Sequence, residues 1–213
     1  SHNGRLFLGW KGSGNDELNL AFSSDGIGFG GKHILSETSS HGPSLASHGG
    51  RLFISWKGSG NENLNVARLT FIGNTAGGFV IGGLDNKVTL SDFSEEPPAI
   101  ASWNDLLFIG WKGEANDNLD FRVSRDGSFA PVGPWIFADR SNLGFYLAVF
   151  RAPPTHPDQL VEPLDSMGLA YIVEKPDMDA RGINFEIFKQ SVLQANNHLP
   201  PTLDYGGRYQ FNM

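Results

Sequence analysis

The stretch Gly4-Arg-Leu-Phe-Leu-Gly-Trp-Lys-Gly-Ser-Gly-Asn-Asp-Glu-Leu-Asn19 returns as Gly50-Arg-Leu-Phe-Ile-Ser-Trp-Lys-Gly-Ser-Gly-Asn-Glu-Asn-Leu-Asn65. It returns again as Leu106-Leu-Phe-Ile-Gly-Trp-Lys-Gly-Glu-Ala-Asn-Asp-Asn-Leu-Asp120. The tryptophans Trp10, Trp56 and Trp111 stand 46 and then 55 residues apart. That period suits a four-stranded sheet module better than a helical hairpin or a short solenoid coil.

Within the second module, Pro43–Ser47 reads as a first strand, His48-Gly-Gly50 as a tight turn and Arg51–Lys57 as a second strand. A polar loop, Gly58–Glu62, leads to a third strand over Leu64–Leu69, and Lys87–Leu90 reads as the fourth after a glycine-rich insertion. In Leu6-Phe7-Leu8 and Leu52-Phe53-Ile54 the apolar residues are contiguous, as expected of strands covered on both faces by neighbouring sheets. The expected fold is therefore all-β: a single β-propeller domain over 1–213, with four-stranded antiparallel blades in modules of about 1–37, 38–92, 93–139 and 140–213. The fourth module is degenerate, with strands over Gly144–Phe150, Gly168–Glu174 and Ile183–Phe188, and the tail Leu199–Met213 is expected to supply its outer strand and one strand more. The first module lacks its first strand, so closure by Arg208–Met213 pairing beside the second strand of module one is expected; the alternative is a piece of a larger propeller.

Composition narrows the function classes. With 27 Gly and 12 Pro in 213 residues there is a turn signal for each short strand. The net charge of −7 comes without a basic cluster, which removes the electrostatic case for nucleic acid or an anionic membrane. The absence of cysteine removes disulfides, thiolate catalysis and cysteine-based zinc sites, and leaves the compartment open; a secreted or cell-surface setting is favoured. No stretch has the length and apolarity to insert across a bilayer, and no signal peptide is visible at Ser1. Ser1–Phe7 parallels Ser47–Phe53, so the chain opens inside a repeat, as a processed or trimmed product would.

Two turns carry a family resemblance. Ser23-Ser-Asp25-Gly26-Ile-Gly-Phe29 and Ser124-Arg-Asp126-Gly127-Ser-Phe129 resemble the Asp-box of sialidase-like (BNR-type) propellers, in which Asp accepts from backbone N–H groups and Gly takes a positive φ. Both copies place Gly directly after Asp, and module two lacks the box. The resemblance covers about residues 4–140 and implies a fold; in that family the box lies away from the active site. Phe150-Arg151-Ala-Pro153 resembles the sialidase segment Phe-Arg-Ile-Pro but follows the boxes and lacks the Ile.

The second-to-third strand loop offers, three times, an aromatic plane, a cation, an amide and a carboxylate: Trp10, Lys11 and Asn15; Trp56, Lys57 and Asn61; Trp111, Lys112 and Asn116, each followed by Asp or Glu. An acid followed two residues later by Ser recurs at Glu37, Asp92 and Asp139, on loops expected at the same end. Sugars suit such surfaces, since C–H faces stack on rings and hydroxyls pair with donors and acceptors. The expected function is thus a lectin-like propeller binding glycans or glycoconjugates through repeated shallow sites, without a cofactor or metal. The competing reading makes the tryptophans blade core, the asparagines turn residues, and each repeated acid a salt-bridge partner of the neighbouring lysine.

Two other classes compete. A sialidase-like glycoside hydrolase would use the acidic residues Glu174, Asp177, Asp179 and Glu186 of module four, although repeated copies of one chemistry argue against an enzyme. An interaction or structural module, including a homo-oligomer, is suggested by the incomplete first blade. The histidines His2, His33, His41, His48, His156 and His198 show no zinc-ligand spacing, with His41 placed in an upper loop. On the lectin reading, Trp56→Ala weakens glycan binding on an array while leaving the protein folded.

Overall fold

The computed structural model describes residues 1–73, 79–114, 117–129, 135–141, 144, 146–151, 165–174, 181–190 and 203–212, with the backbone alone at Phe79, along 135–140 and from residue 150 onward. Fifteen strands are described: β1 (Leu6–Lys11), β2 (Glu17–Ser23), β3 (Gly30–Thr38), β4 (Ser44–His48), β5 (Arg51–Lys57), β6 (Asn63–Gly73), β7 (Phe79–Phe93), β8 (Ala99–Trp103), β9 (Leu106–Lys112), β10 (Asn118–Ser124), β11 (Trp135–Arg140), β12 (Tyr146–Arg151), β13 (Asp165–Glu174), β14 (Arg181–Gln190) and β15 (Leu203–Asn212). They form four antiparallel sheets in sequence order: β1-β2-β3, β4-β5-β6-β7, β8-β9-β10-β11 and β12-β13-β14-β15. No helix occurs among the described residues.

Two expectations about strands change. The glycine-rich insertion of module two lengthens the β6–β7 ladder, which runs on through Thr70↔Gly83 and Phe71↔Ile81 to Gly73↔Phe79. The C-terminal strand does not complete the first sheet. β15 pairs with β14, Arg208 opposite Glu186 and Phe211 opposite Ile183, as the outer strand of sheet four. Pairing with the preceding strand closes a short loop and gives one long ladder, whereas a return to β1 costs the entropy of a much longer closure. Among the described residues, no ladder joins sheet four to sheet one.

The core lies between sheets, because each inner strand carries apolar side chains on both of its faces. Leu52, Ile54 and Trp56 of β5, with Ala67 and Leu69 of β6, pack on Leu18, Leu20 and Leu35 of sheet one. On the other face of sheet two, Phe53, Leu64, Val66 and Leu90 pack on Leu107, Ile109 and Trp111 of β9. One contact is thus used twice, with equivalent residues: Leu18/Leu64, Leu20/Val66 and Leu35/Leu90 against Leu52/Leu107, Ile54/Ile109 and Trp56/Trp111. The first strands run side by side, β4 against β8 and β8 against β12, so the sheets converge along their inner edges.

Polar ties repeat with the sheets. At the turn preceding each second strand, His2 Nδ1 meets Ser47 Oγ at 2.8 Å, and His48 Nδ1 meets Ser102 Oγ at 2.8 Å. Both serines belong to the first strand of the next sheet. His48 Nε2 also meets the Arg125 carbonyl at 2.8 Å, in the turn that resembles an Asp-box.

Both such turns have the hydrogen bonds expected of them. Asp25 Oδ1 accepts from Ser23 Oγ and from the N–H groups of Ile27 and Gly28, and Asp126 Oδ1 accepts from Ser124 Oγ and the Ser128 N–H. These donors hold both carboxyls down at about 2. Gly26 and Gly127 take φ of 78° and 85°. At Gly127 a Cβ would also stand 2.8 Å from Phe53 Cζ. Gly127→Ala is therefore expected to destabilise the protein by more than about 1 kcal/mol. Gly28→Ala, where no other atom lies within 4 Å of the added carbon, serves as the control, with denaturant unfolding as the measurement.

Candidate functional site

Each Trp-Lys loop folds in the same way for reasons visible in its residues. Asn15 Oδ1 accepts from the Glu17 N–H and Asn61 Oδ1 from the Asn63 N–H, both at 3.2 Å, so these asparagines close Asx turns. Gly12 and Gly58 are required beneath them, since a Cβ would collide with the Asn Oδ1. The next residue, Asp16, Glu62 or Asp117, takes φ of 55°, 55° or 57°. Its carbonyl accepts from the N–H of Ser39, Ser94 or Ser141 at the exit of the same sheet. Those three serines are fully buried. The Ser of each acid-x-Ser repeat thus ties the loop to the crossover into the next sheet.

The acids of these loops neutralise the lysines five residues before them: Lys11 pairs with Asp16 at 2.7 Å, Lys57 with Glu62, and Lys112 with Asp117 at 2.8 Å. Lys57 Nζ also donates to the Glu95 carbonyl at 2.8 Å. Lys57 and Lys112 are buried, whereas Lys11 is half-buried.

Glu37 and Asp92 have other partners than the salt-bridge reading expected. Glu37 receives Lys87 Nζ on both oxygens at 2.7 Å, and Asp92 receives Arg122 Nε at 2.7 Å. Each ion pair spans two adjacent sheets. Asp139 lies in β11, described by its backbone, and Asn116 falls outside the described residues.

The tryptophans separate from this polar set. Trp56 is 0% and Trp111 2% exposed, both within the inter-sheet cores, so neither presents a ring face to a ligand. Their side chains share a strand face with Leu52 and Ile54, or Leu107 and Ile109, and the neighbouring sheet covers that face. Trp10 is half-buried, with Lys32 Nζ 5.9 Å from its ring centroid.

The same crossovers build a cavity of about 480 Å³. Its wall combines His41, Pro43 and Ser44 between sheets one and two, Glu96 and Pro97 between sheets two and three, and Tyr146 at the start of β12. The buried serines position two of these residues. Ser39 Oγ accepts from the His41 N–H at 3.2 Å and donates to the His41 carbonyl at 2.7 Å, while Ser94 Oγ accepts from the Glu96 N–H at 3.1 Å. Ser40 Oγ meets His41 Nδ1 at 3.0 Å. Prolines 43, 97 and 98 fix φ through both crossovers.

Tyr146 is 80% exposed, an aromatic left open beside an imidazole and a carboxylate. Among the described residues, Glu96 is the one carboxylate on this wall, and no cluster of His, Asp and Glu suits a metal ion. Sequence reading placed His41 in an upper loop and missed Glu96 and Tyr146. For Glu96 a signal was available, since it stands two residues after Ser94 as His41 does after Ser39; Tyr146 does not share that spacing.

Of the other expected site residues, Glu174 ends β13 opposite Arg181, and Glu186 lies in β14 opposite Leu169 and Arg208. Phe150 and Arg151 lie in β12. Asp177, Asp179, Pro153, His156 and His198 fall outside the described residues. A comparison of the chain with family models and with curated proteins gave no match.

One buried group departs from its repeat. Asn19 and Asn65 donate to the carbonyls two residues before them, Glu17 and Asn63, at 2.9 and 3.0 Å. Asp120 holds the equivalent position in β10, and an ionised carboxylate cannot donate there. Its Oδ1 is buried without a hydrogen-bond partner, and burial followed by the charge of Asp92 pushes its pKa up to about 6.

A carboxyl raised in this way destabilises the folded state when ionised, and stability recovers as pH falls through about 6 towards the unfolded value near 4. Asp120→Asn is accordingly expected to raise the melting temperature at pH 7.5 and to flatten its dependence between pH 7 and 5; thermal melts across that range check this. Trp56→Ala is expected to cost about 3–5 kcal/mol of stability, replacing the expectation of an intact fold. Denaturant unfolding measures that loss directly.

Proposed function

We propose that this protein is a carbohydrate-binding, lectin-like β-propeller whose principal site is the cavity between the sheet crossovers, lined by His41, Glu96 and Tyr146. The observation that carries the reading is that an exposed phenol ring, an imidazole and a carboxylate line one cavity, with the His41 and Glu96 backbones tied by buried serines. Such a wall stacks on the C–H face of a sugar and pairs with its hydroxyls. A cavity of this size suits one or two sugar rings. The polar loops at Asn15 and Asn61, both exposed, flank the same end and offer amides to the remainder of a longer glycan. The propeller arrangement is supported by the repeated sheet-to-sheet contact, since one rotation applied at each step curls the series about its inner edges.

A glycoside hydrolase is the weaker alternative. It requires two carboxylates about 5–10 Å apart, whereas the described wall supplies Glu96 alone.

A glycan array probed with the labelled chain tests the proposal. Selective binding is expected, reduced roughly tenfold by Tyr146→Ala, equivalent to about 1.4 kcal/mol, and also weakened by Glu96→Gln. Melting temperatures should stay within a few degrees of the parent, because Tyr146 is open to solvent. An array empty with the parent protein, or binding indifferent to both substitutions, removes this site.

A further inference from the structure

The cavity wall is built from equivalent positions that carry unlike residues. His41 and Glu96 each stand two residues after a buried serine, Ser39 or Ser94. Ser44, Ala99 and Tyr146 each stand five residues after Ser39, Ser94 or Ser141, as the first residues of β4, β8 and β12. All five line the cavity. At the first pair of positions the crossover requires a backbone N–H for the serine hydroxyl, and both residues supply it. That bond does not fix the side chain, so an imidazole at one position and a carboxylate at the other go beyond what the crossover needs. At the other three positions the repeat twice places a small residue, whereas the third holds a phenol ring that is 80% exposed and fills no core. Unlike groups at like positions make one site in each chain, in contrast to the repeated sites expected of the Trp-Lys loops.

The charge on this wall is unmatched. Asp16, Glu37, Glu62, Asp85, Asp92 and Asp117 each meet a lysine or arginine. Among the described residues, neither an ion pair nor a hydrogen bond holds the Glu96 carboxylate, and no lysine or arginine lines the cavity. Lys57, whose ammonium reaches the neighbouring Glu95 carbonyl, is buried and held by Glu62. Glu96 is half-buried and lies against Gly144, where an added Cβ would stand 3.5 Å from the Glu96 Oε2. A carboxylate in that setting gains most from a ligand that brings a cation with its own N–H donors, since charge-assisted hydrogen bonds are roughly twice as strong as neutral ones. The exposed Tyr146 ring favours the same charge through its π face.

We infer that the cavity selects an amino sugar, a hexose whose ammonium group meets Glu96 while its ring lies on Tyr146. His41, with Ser40 Oγ on its Nδ1, keeps Nε2 for a sugar hydroxyl. The inference rests on the carbohydrate-binding reading of the same cavity and adds to it the charge of the ligand.

Disaccharides of glucose, N-acetylglucosamine and glucosamine with the same linkage test it, because they share a ring shape and differ in one substituent. Titration calorimetry with the full chain at about pH 7, where a primary amine of this kind is charged, is expected to give one site per chain. The amino form is expected to bind at least roughly tenfold tighter than the other two, and added salt to weaken that form most. Glu96→Gln is expected to remove the preference by lowering affinity for the amino form roughly tenfold, whereas Tyr146→Ala weakens all three. Equal affinity for the three disaccharides, tighter binding of an anionic glycan on the array, or a preference that survives Glu96→Gln overturns the inference and leaves the lectin reading standing. No binding of any glycan, on the array or in solution, overturns both.

Discussion

The packing of one sheet face on the next is the constraint on which the rest of the structure depends. A strand such as Arg51–Lys57 alternates Leu52, Ile54 and Trp56 on one side with Phe53 on the other, and both sides are sealed. Burying side chains of this size is worth about 1.5–3 kcal/mol each. No single sheet of three or four strands could retain that gain, because either face alone would return to water. The sheets are therefore stable as a series, and the residues at each contact are the ones that recur in the sequence.

Polar groups follow that arrangement closely. The buried serines Ser39, Ser94 and Ser141 and the left-handed residues Asp16, Glu62 and Asp117 meet at the sheet exits, where the backbone must leave one sheet and enter another. Their hydrogen bonds satisfy main-chain groups that would otherwise be buried unpaired. The lysines of the loops are held by acids of the same loops, so a feature that reads as a cationic binding group is mostly spent on local neutralisation. His41 and Glu96 instead stand just beyond the serine ties, on crossovers stiffened by proline, and keep their side chains on the cavity wall.

Legibility varied with the range of the interaction. The strands of module two were readable because turn residues and apolar runs alternate over a few positions, and Arg51–Lys57 matches β5 residue for residue. The two Asp-Gly turns were readable for the same reason, since the hydrogen bonds of their Ser and Asp side chains lie within five residues. The fates of their aromatics were not: Phe129 is 4% exposed and packs in the core with Phe53, while Phe29, in the turn before β3, is 45% exposed. The second turn is one residue shorter, with Phe129 three residues after Asp126 and Phe29 four after Asp25, but whether a neighbouring sheet covers the ring is not written in either turn. The tail was expected to supply the outer strand of sheet four, and β15 does so; its reach was misread, because Arg208–Asn212 continue that strand instead of pairing beside β1, and edge strands carry little in their own pattern to name a partner.

By itself the sequence determined the all-β character, the module period, the turn geometry and the positions of the apolar stripes, since each depends on residues close together in the chain. Only the tertiary structure decided which stripes are covered: Trp56 and Trp111 became core, while Leu6 and Leu8, chemically equivalent to their counterparts, remain on a surface. It also decided that His41, Glu96 and Tyr146 share a cavity, although more than a hundred residues separate the first from the last. Burial and convergence belong to the meeting of separate sheets, and a repeated sequence states the contact without stating where the series of contacts ends.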